Sequence, residues 1–186
     1  MFAQSQLPNL TLDEYLELEL KCDIRHEYIA GQVYAMAGAS EAHDIISGNI
    51  YVRLRTHLRG SGCRVFSSDM KVKIKLLDIF YYPDISVTCD SQDREKYFKI
   101  RPCLIVEVIS PSTARIDRNE KLLNYRQLES LQEYLLVDQE KIKVEIYRKD
   151  DQNNWSVETL GEGDVLKLVS VGLEMTMAEI YEDVEL

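Results

Sequence analysis

The chain reads as an α/β protein of the α+β kind, a central mixed β-sheet with helices on its faces. Three observations lead there. Capped, periodically apolar segments at about residues 11–21, 40–59 and 117–129 are interleaved with strand-length apolar runs. A strand, a helix and a strand follow in order between residues 107 and 137, the pattern of a parallel crossover. The run 103–110 is apolar on both alternating faces, which marks a central strand covered on both sides. The 186 residues suit one domain, 1–186, with a core over about 10–180. That length buries about 70% of the unfolded surface.

Thr11-Leu12-Asp13-Glu14 is a capping box, and the helix it opens runs to about Lys21 with Leu12, Tyr15, Leu16 and Leu20 apolar. Segments 26–30 and 33–37 flank Gly31-Gln32, a hairpin with a glycine-first turn. Ser40 caps a longer helix to about Arg59, with Ile45, Ile46, Ile50, Leu54 and Leu58 at helical spacing. Gly60 and Gly62 end it. Strands are expected over 64–67, 70–76, 79–88 and 103–110. In the second, Val72, Ile74 and Leu76 alternate with Lys71, Lys73 and Lys75. Asp117-Arg118-Asn119-Glu120 reads as another capping box, with Asp117 as N-cap, opening a helix to about Glu129. Strands over 133–137, 142–148, 155–160 and 165–169 follow, and Thr176 with Glu179 caps a short terminal helix.

Composition excludes several classes. No apolar stretch is long enough to cross a membrane. Residues 1–8 have neither a basic region nor a long apolar core, so no secretory signal is expected and the localisation reads as cytoplasmic. Cys22, Cys63, Cys89 and Cys103 are far apart without a CxxC pair, which predicts reduced thiols and no zinc site. The net charge of −10 argues against non-specific nucleic-acid binding, which depends on cations neutralising phosphates.

Glu107 stands out. Alternation puts Leu104, Val106 and Val108 on one face of its strand and Ile105, Glu107 and Ile109 on the other. An ionised carboxylate there needs a cation, a proton or a metal, because bare burial costs several kcal/mol, on the order of the full solvation penalty. Asp84 lies in a second apolar run. Two such carboxylates point to a divalent-cation site.

Pro83-Asp84, then Glu107 in Val106-Glu107-Val108-Ile109-Ser110-Pro111-Ser112-Thr113, then Asp117 and Lys121, resemble the PD-(D/E)xK nuclease superfamily. The match is closer to its Uma2 branch of restriction-endonuclease-like proteins, abundant in cyanobacteria. Glu27-Tyr28-Ile29-Ala30-Gly31-Gln32, His43 and Tyr134-Leu135-Leu136-Val137-Asp138 add to the likeness, over about 10–180. In the superfamily's basic pattern a lysine follows the acid by two residues, where this chain has Ile109. The resemblance therefore implies that Lys121 is a lysine moved to the next helix. It further implies a restriction-endonuclease-like core and a metal-dependent endonuclease hydrolysing phosphodiester bonds in DNA. Asp84 and Glu107 would hold Mg²⁺ or Mn²⁺, Lys121 would assist, and Glu27, with Asp69 as a further candidate, would add acidic groups. A homodimer is expected, since two related sites cut both strands.

Plainer readings stand beside these. Asp84 reads as a strand-end acceptor of backbone N–H groups, Glu107 with Lys121 as a structural ion pair, Asp117 as a cap. His43 reads as a polar contact or cap, and Tyr125 and Tyr134 as core or rim aromatics. A subset of Lys71, Lys73, Lys75, Arg115 and Arg118 would line a phosphate groove, or the lysines would blunt a sheet edge. The alternative function is a catalytically inactive nuclease-fold protein acting as a nucleic-acid-binding or protein-interaction module.

Overall fold

Two mixed sheets, rather than one, carry most of the strands in the computed structural model, which describes residues 9–111 and 113–186. The segment 1–8, read above for a secretory signal, and Ser112 of the SPST run lie outside the described residues.

Helix α1 (Leu12–Glu19) opens on the expected capping box: Thr11 Oγ1 accepts the Glu14 N–H, and the Glu14 carboxylate accepts the Thr11 N–H at 2.8 Å. Strands β1 (His26–Ile29) and β2 (Gln32–Ala35) form the hairpin, joined through Ala30 at φ 46° and Gly31 at φ 95°. Two central residues at positive φ make a primed turn with glycine second, which corrects the glycine-first expectation. Helix α2 (Glu41–His57) is capped by Ser40 Oγ, which accepts the His43 N–H at 3.2 Å, and buries Ile46, Ile50 and Leu54.

Strand β3 (Arg64–Ser67) follows, then β4 (Lys71–Ile74). The alternation in the second stops early. The chain turns through a 3₁₀ segment, Lys75–Leu77, and Leu76 is 77% exposed. The single strand expected over 79–88 is broken into β5 (Ile79–Tyr81) and β6 (Ile85–Thr88). Pro83 has no N–H for a ladder, so the run divides there and passes from one sheet to the other. Strand β7 (Phe98–Lys99), absent from the sequence reading, pairs in parallel with β4. The first sheet is ordered β2-β1-β5-β4-β7.

Strand β8 (Leu104–Ile109) is buried throughout and divides by parity as expected. Leu104, Val106 and Val108 join the core with Ile46, Ile50 and Leu54, while Ile105 and Ile109 join a second core with Tyr125, Tyr134 and Leu136. Each fully buried side chain of this size contributes about 1.5–3 kcal/mol. The following helix starts before Asp117, as α3 (Ala114–Ile116), a π-helical turn (Asp117–Lys121) and α4 (Leu122–Tyr125). Asp117 has helical dihedrals (φ −65°, ψ −40°) and is no N-cap, which corrects that reading. Ser110 and Thr113 hold the entry instead: the Ser110 N–H donates to Thr113 Oγ1 at 3.1 Å, and the Thr113 N–H to Ser110 Oγ at 3.3 Å. The helix also stops at Tyr125 rather than near 129.

Strand β9 (Glu133–Asp138) returns parallel to β8, completing the expected crossover, with Glu107 opposite Leu136. Strands β10 (Lys143–Lys149) and β11 (Trp155–Gly161) continue antiparallel, giving the order β11-β10-β9-β8-β6-β3. A separate hairpin, β12 (Val165–Leu168) with β13 (Leu173–Thr176), leads into α5 (Met177–Ile180), capped by Thr176 and Glu179 as expected.

The reduced-thiol expectation is corrected. Antiparallel pairing of Arg64 with Thr88 brings the next residues out, Cys63 and Cys89, face to face, with Cα atoms 4.0 Å apart and the sulfurs bonded. Cys22 and Cys103 are free. Among the described residues no helix is long and apolar enough to cross a membrane.

Candidate active site

The break at Pro83 places Asp84 at the head of β6, where the two sheets meet. Its Oδ2 accepts the Val108 N–H at 2.7 Å and lies 3.2 Å from His43 Nε2 of α2. The strand-end reading of Asp84 thus describes its backbone contact, and the pairing of Ile85 with Val106 sets it beside Glu107. Glu107 is 5% exposed, and its Oε1 accepts from Lys121 Nζ and from the Tyr125 hydroxyl, both at 3.1 Å. The anchoring contacts of each acid thus fall on a single oxygen.

Lys121 is the hub. Its ammonium lies 3.0 Å from Glu27 Oε1 on β1, 3.1 Å from Glu107 and 3.5 Å from Asp117. It also sits 5.3 Å from the centroid of the Tyr81 ring. The lysine therefore reaches the acids from a helix, as the resemblance implied. It does so from a π-helical turn and not from a first helical turn, so the macrodipole does not oppose it there. Such turns recur at functional sites because the extra residue re-aims side chains.

Three carboxylates around one ammonium, with Asp84 acting on two of them, leave excess negative charge, and the titration directions follow. Burial raises the Glu107 pKa well above 4.5; Lys121 opposes this, and Asp117, Asp84 and Glu27 add to it. Asp117 is raised above 3.8, first by burial, against Lys121 and the Thr113 hydroxyl. Burial alone would lower Lys121, but Glu107, Glu27 and Asp117 outweigh it and hold the ammonium charged, well above 10.5. His43 is raised above 6.5 in the same way, burial being overcome by Asp84.

These groups open into a cleft of about 860 Å³. Six carboxylates line it (Asp23, Glu27, Asp44, Asp84, Glu107 and Asp117) against the cations Arg25 and Lys121. Among the described residues no three His, Cys, Asp or Glu side chains are grouped as a ready metal cage. The donor chemistry nevertheless fits a hard divalent cation: clustered carboxylate oxygens with uncompensated charge, two of them on adjacent strands.

Other expectations fall away from this cleft. Asp69 is exposed and pairs with Arg25. Lys71 is buried, with Nζ 3.1 Å from the Tyr82 hydroxyl, and Lys73 lies over the Phe80 and Phe98 rings. Lys75 occupies the exposed turn, Arg115 pairs with Glu120 and Arg118 with Glu145. None of these five basic residues lines the cleft, so the expected phosphate groove is not built from them. The sequence reading undervalued three residues: His43 against Asp84, Tyr125 against Glu107, and Asp117. A signal for two of them was present, since Asp117, Lys121 and Tyr125 recur every four residues and share one helix face.

Comparison with known proteins bears on the whole. The chain matches the family Uma2, described as "Putative restriction endonuclease", over residues 12–178. "Uncharacterized protein slr1290" of Synechocystis sp. is 39% identical over 175 residues, 94% of this chain and 92% of that protein. "Uncharacterized protein sll1609" of the same organism is 35% identical over 157 residues, 82% and 89% of the respective chains. A crystal structure from Anabaena variabilis, described as "a putative nuclease belonging to DUF820", aligns with a TM-score of 0.77. It covers 92% of this chain and 97% of its own at 21% identity. At that identity the likeness concerns the fold, and it is the restriction-endonuclease-like fold expected.

Proposed function

The chain belongs to the Uma2 family of restriction-endonuclease-like proteins, and from that premise we propose that it is a metal-dependent endonuclease hydrolysing phosphodiester bonds in DNA. One observation carries the reading: a buried ammonium, Lys121, held within 3.0–3.5 Å of three carboxylates at a cleft whose lining is acidic. A polyanionic backbone is repelled by such a lining unless a divalent cation offsets it. Asp84 and Glu107 are the residues to hold Mg²⁺ or Mn²⁺. When bound, that ion supplies charge to offset the phosphate and lowers the pKa of water.

The chain's own groups do the rest. Val108 N–H and His43 fix the Asp84 carboxylate, and Tyr125 fixes Glu107. Glu27 and Asp117 keep Lys121 protonated and aimed at the acids, where it orients the attacking water or stabilises charge at phosphorus. Two copies about a two-fold axis would cut both strands of a duplex, a state that light scattering reads directly.

A second reading, a nuclease-fold module that binds without cutting, is favoured by the net charge of −10, by the burial of Lys71 and by the pairing of Arg118 with Glu145. The test is a cleavage assay on supercoiled, linear and single-stranded DNA with Mg²⁺ or Mn²⁺. Wild type is expected to cut, and Glu107→Ala or added chelator to abolish cutting. Mn²⁺ is expected to raise the melting temperature of wild type and not of Asp84→Ala. A metal-dependent melting shift without cleavage of any of these substrates would transfer the assignment to the second reading.

A further inference from the structure

Strand β6 lies between β3 and β8 and runs antiparallel to both, so the start of β3, the end of β6 and the start of β8 share one end of the sheet. That end carries Cys63, Cys89 and Cys103 and is opposite the Asp84 end. Cys63 and Cys89 are bonded, and the free Cys103 Sγ lies 3.8 Å from Cys89 Sγ. Cys103 is held in place: its N–H donates to Val87 O at 2.8 Å, and its thiol points at the same oxygen at 3.4 Å. Cys89 is exposed whereas Cys103 is 8% exposed.

We propose that these three residues form a thiol–disulfide exchange site, in which the Cys63–Cys89 bond passes to Cys89–Cys103. The step balances internally. Cys103 loses its proton and attacks the Cys89 sulfur; the Cys89–Cys103 bond forms as the Cys63–Cys89 bond breaks. The electron pair leaves on Cys63, which takes up a proton, and no net oxidation occurs. Burial pushes the Cys103 thiol up to about 11, which keeps it protonated and the exchange slow until the strand ends open.

The two bonds close different loops. The first joins residues 26 apart in sequence; the second would join residues 14 apart. That shorter loop contains Asp93, which is fully buried and accepts the Ile100 and Arg101 N–H groups at 3.2 and 3.0 Å, and it contains β7, which pairs into the other sheet. Exchange would move the covalent tie from the β3–β6 edge to the loop that links the sheets.

The test maps disulfides in the full-length protein after alkylation with N-ethylmaleimide in denaturant. Wild type is expected to show Cys63–Cys89, with Cys22 and Cys103 alkylated. After incubation with a trace of reduced glutathione, a fraction should carry Cys89–Cys103 and an alkylated Cys63, and this species should vanish in Cys103→Ser. In Cys63→Ser, oxidised glutathione is expected to drive formation of Cys89–Cys103, itself being reduced to two thiols, while Cys22 stays free. Alkylation of both Cys89 and Cys103 in oxidised Cys63→Ser would overturn the proposal. So would pairing that involves Cys22 as readily, or wild type in which Cys63–Cys89 never forms. None of these readouts depends on the cleft or on cleavage.

Discussion

Glu107 on β8 and Glu133 on β9 are buried glutamates on adjacent parallel strands, 5% and 2% exposed, yet their surroundings are opposite. Glu133 has both oxygens engaged: Arg148 Nε at 3.1 Å, the Val169 and Ser170 N–H groups at 3.1 and 2.9 Å, and the Ser170 hydroxyl. Those partners sit on β10 and on the turn between β12 and β13, so Glu133 fastens that hairpin to the main sheet. Glu107 receives two donors on one oxygen and shares its neighbourhood with three other carboxylates. A carboxylate surrounded by donors with no other duty serves the fold. One kept in like-charged company at a cleft, at a cost to stability, is a candidate for chemistry.

The sharpest way to break this contrast is by activity. Glu107→Gln is expected to lower cleavage by about a thousandfold or more, roughly 4 kcal/mol in the barrier, whereas Glu133→Gln leaves the rate per folded molecule within about twofold. Equal losses in a single-turnover assay would erase the distinction. Stability should invert the order. Glu133→Gln is expected to cost about 1.5–3 kcal/mol in urea unfolding, because the donors that tie the β12–β13 turn and Arg148 to this carboxylate lose its charge, while Glu107→Gln costs less than about 1 kcal/mol. Lys121→Met is expected to slow cleavage by about 3 kcal/mol in the barrier, the loss of one preorganised charge. Unlike a surface lysine, it should also destabilise the fold by stranding Glu27, Glu107 and Asp117.

A pH series sharpens the same point. Glu107 and Asp117 bind protons more tightly folded than unfolded, since their pKa values are raised. Their contribution favours folding below the ordinary carboxylate values and is lost as pH rises through the raised ones. Lys121, also raised, contributes fully below 10.5 and is lost only above that. Unfolding free energy measured from pH 4.5 upward should therefore carry a downward component that Glu107→Gln removes. If Glu107→Gln leaves the profile unchanged, Glu107 is not the strained group. Tyr125→Phe is expected to cost about 1 kcal/mol in urea unfolding, for one lost hydrogen bond to Glu107.

How much of this was legible follows from what is local. The two faces of β8, the caps at Thr11, Ser40 and Thr176, and the crossover into β9 depend on alternation and short spacings, and each appeared as read. Bringing Glu27, Asp84, Glu107 and Lys121 together came from the family's pattern rather than from spacing. The division into two sheets was not legible, because the choice of strand partner is made across the chain. The Cys63–Cys89 contact was hidden for the same reason. Asp117 misled because D-x-x-E has the spacing of a capping box, and a π-helical turn has no distinct local signature.

The break at Pro83 has a consequence for assembly. Glu27 belongs to the sheet containing β5 and Glu107 to the sheet containing β6, with Asp84 on the chain that passes between them. A folding species with either sheet formed alone would present at most part of the acid cluster, and Lys121 would lack a partner from the other. The fully formed cleft therefore arrives only with the docking of the two sheets. Until the sheets dock, Asp84 and Glu107 would already stand together within the β6–β8 sheet, while Lys121 would lack Glu27, the carboxylate at 3.0 Å that comes from the other sheet.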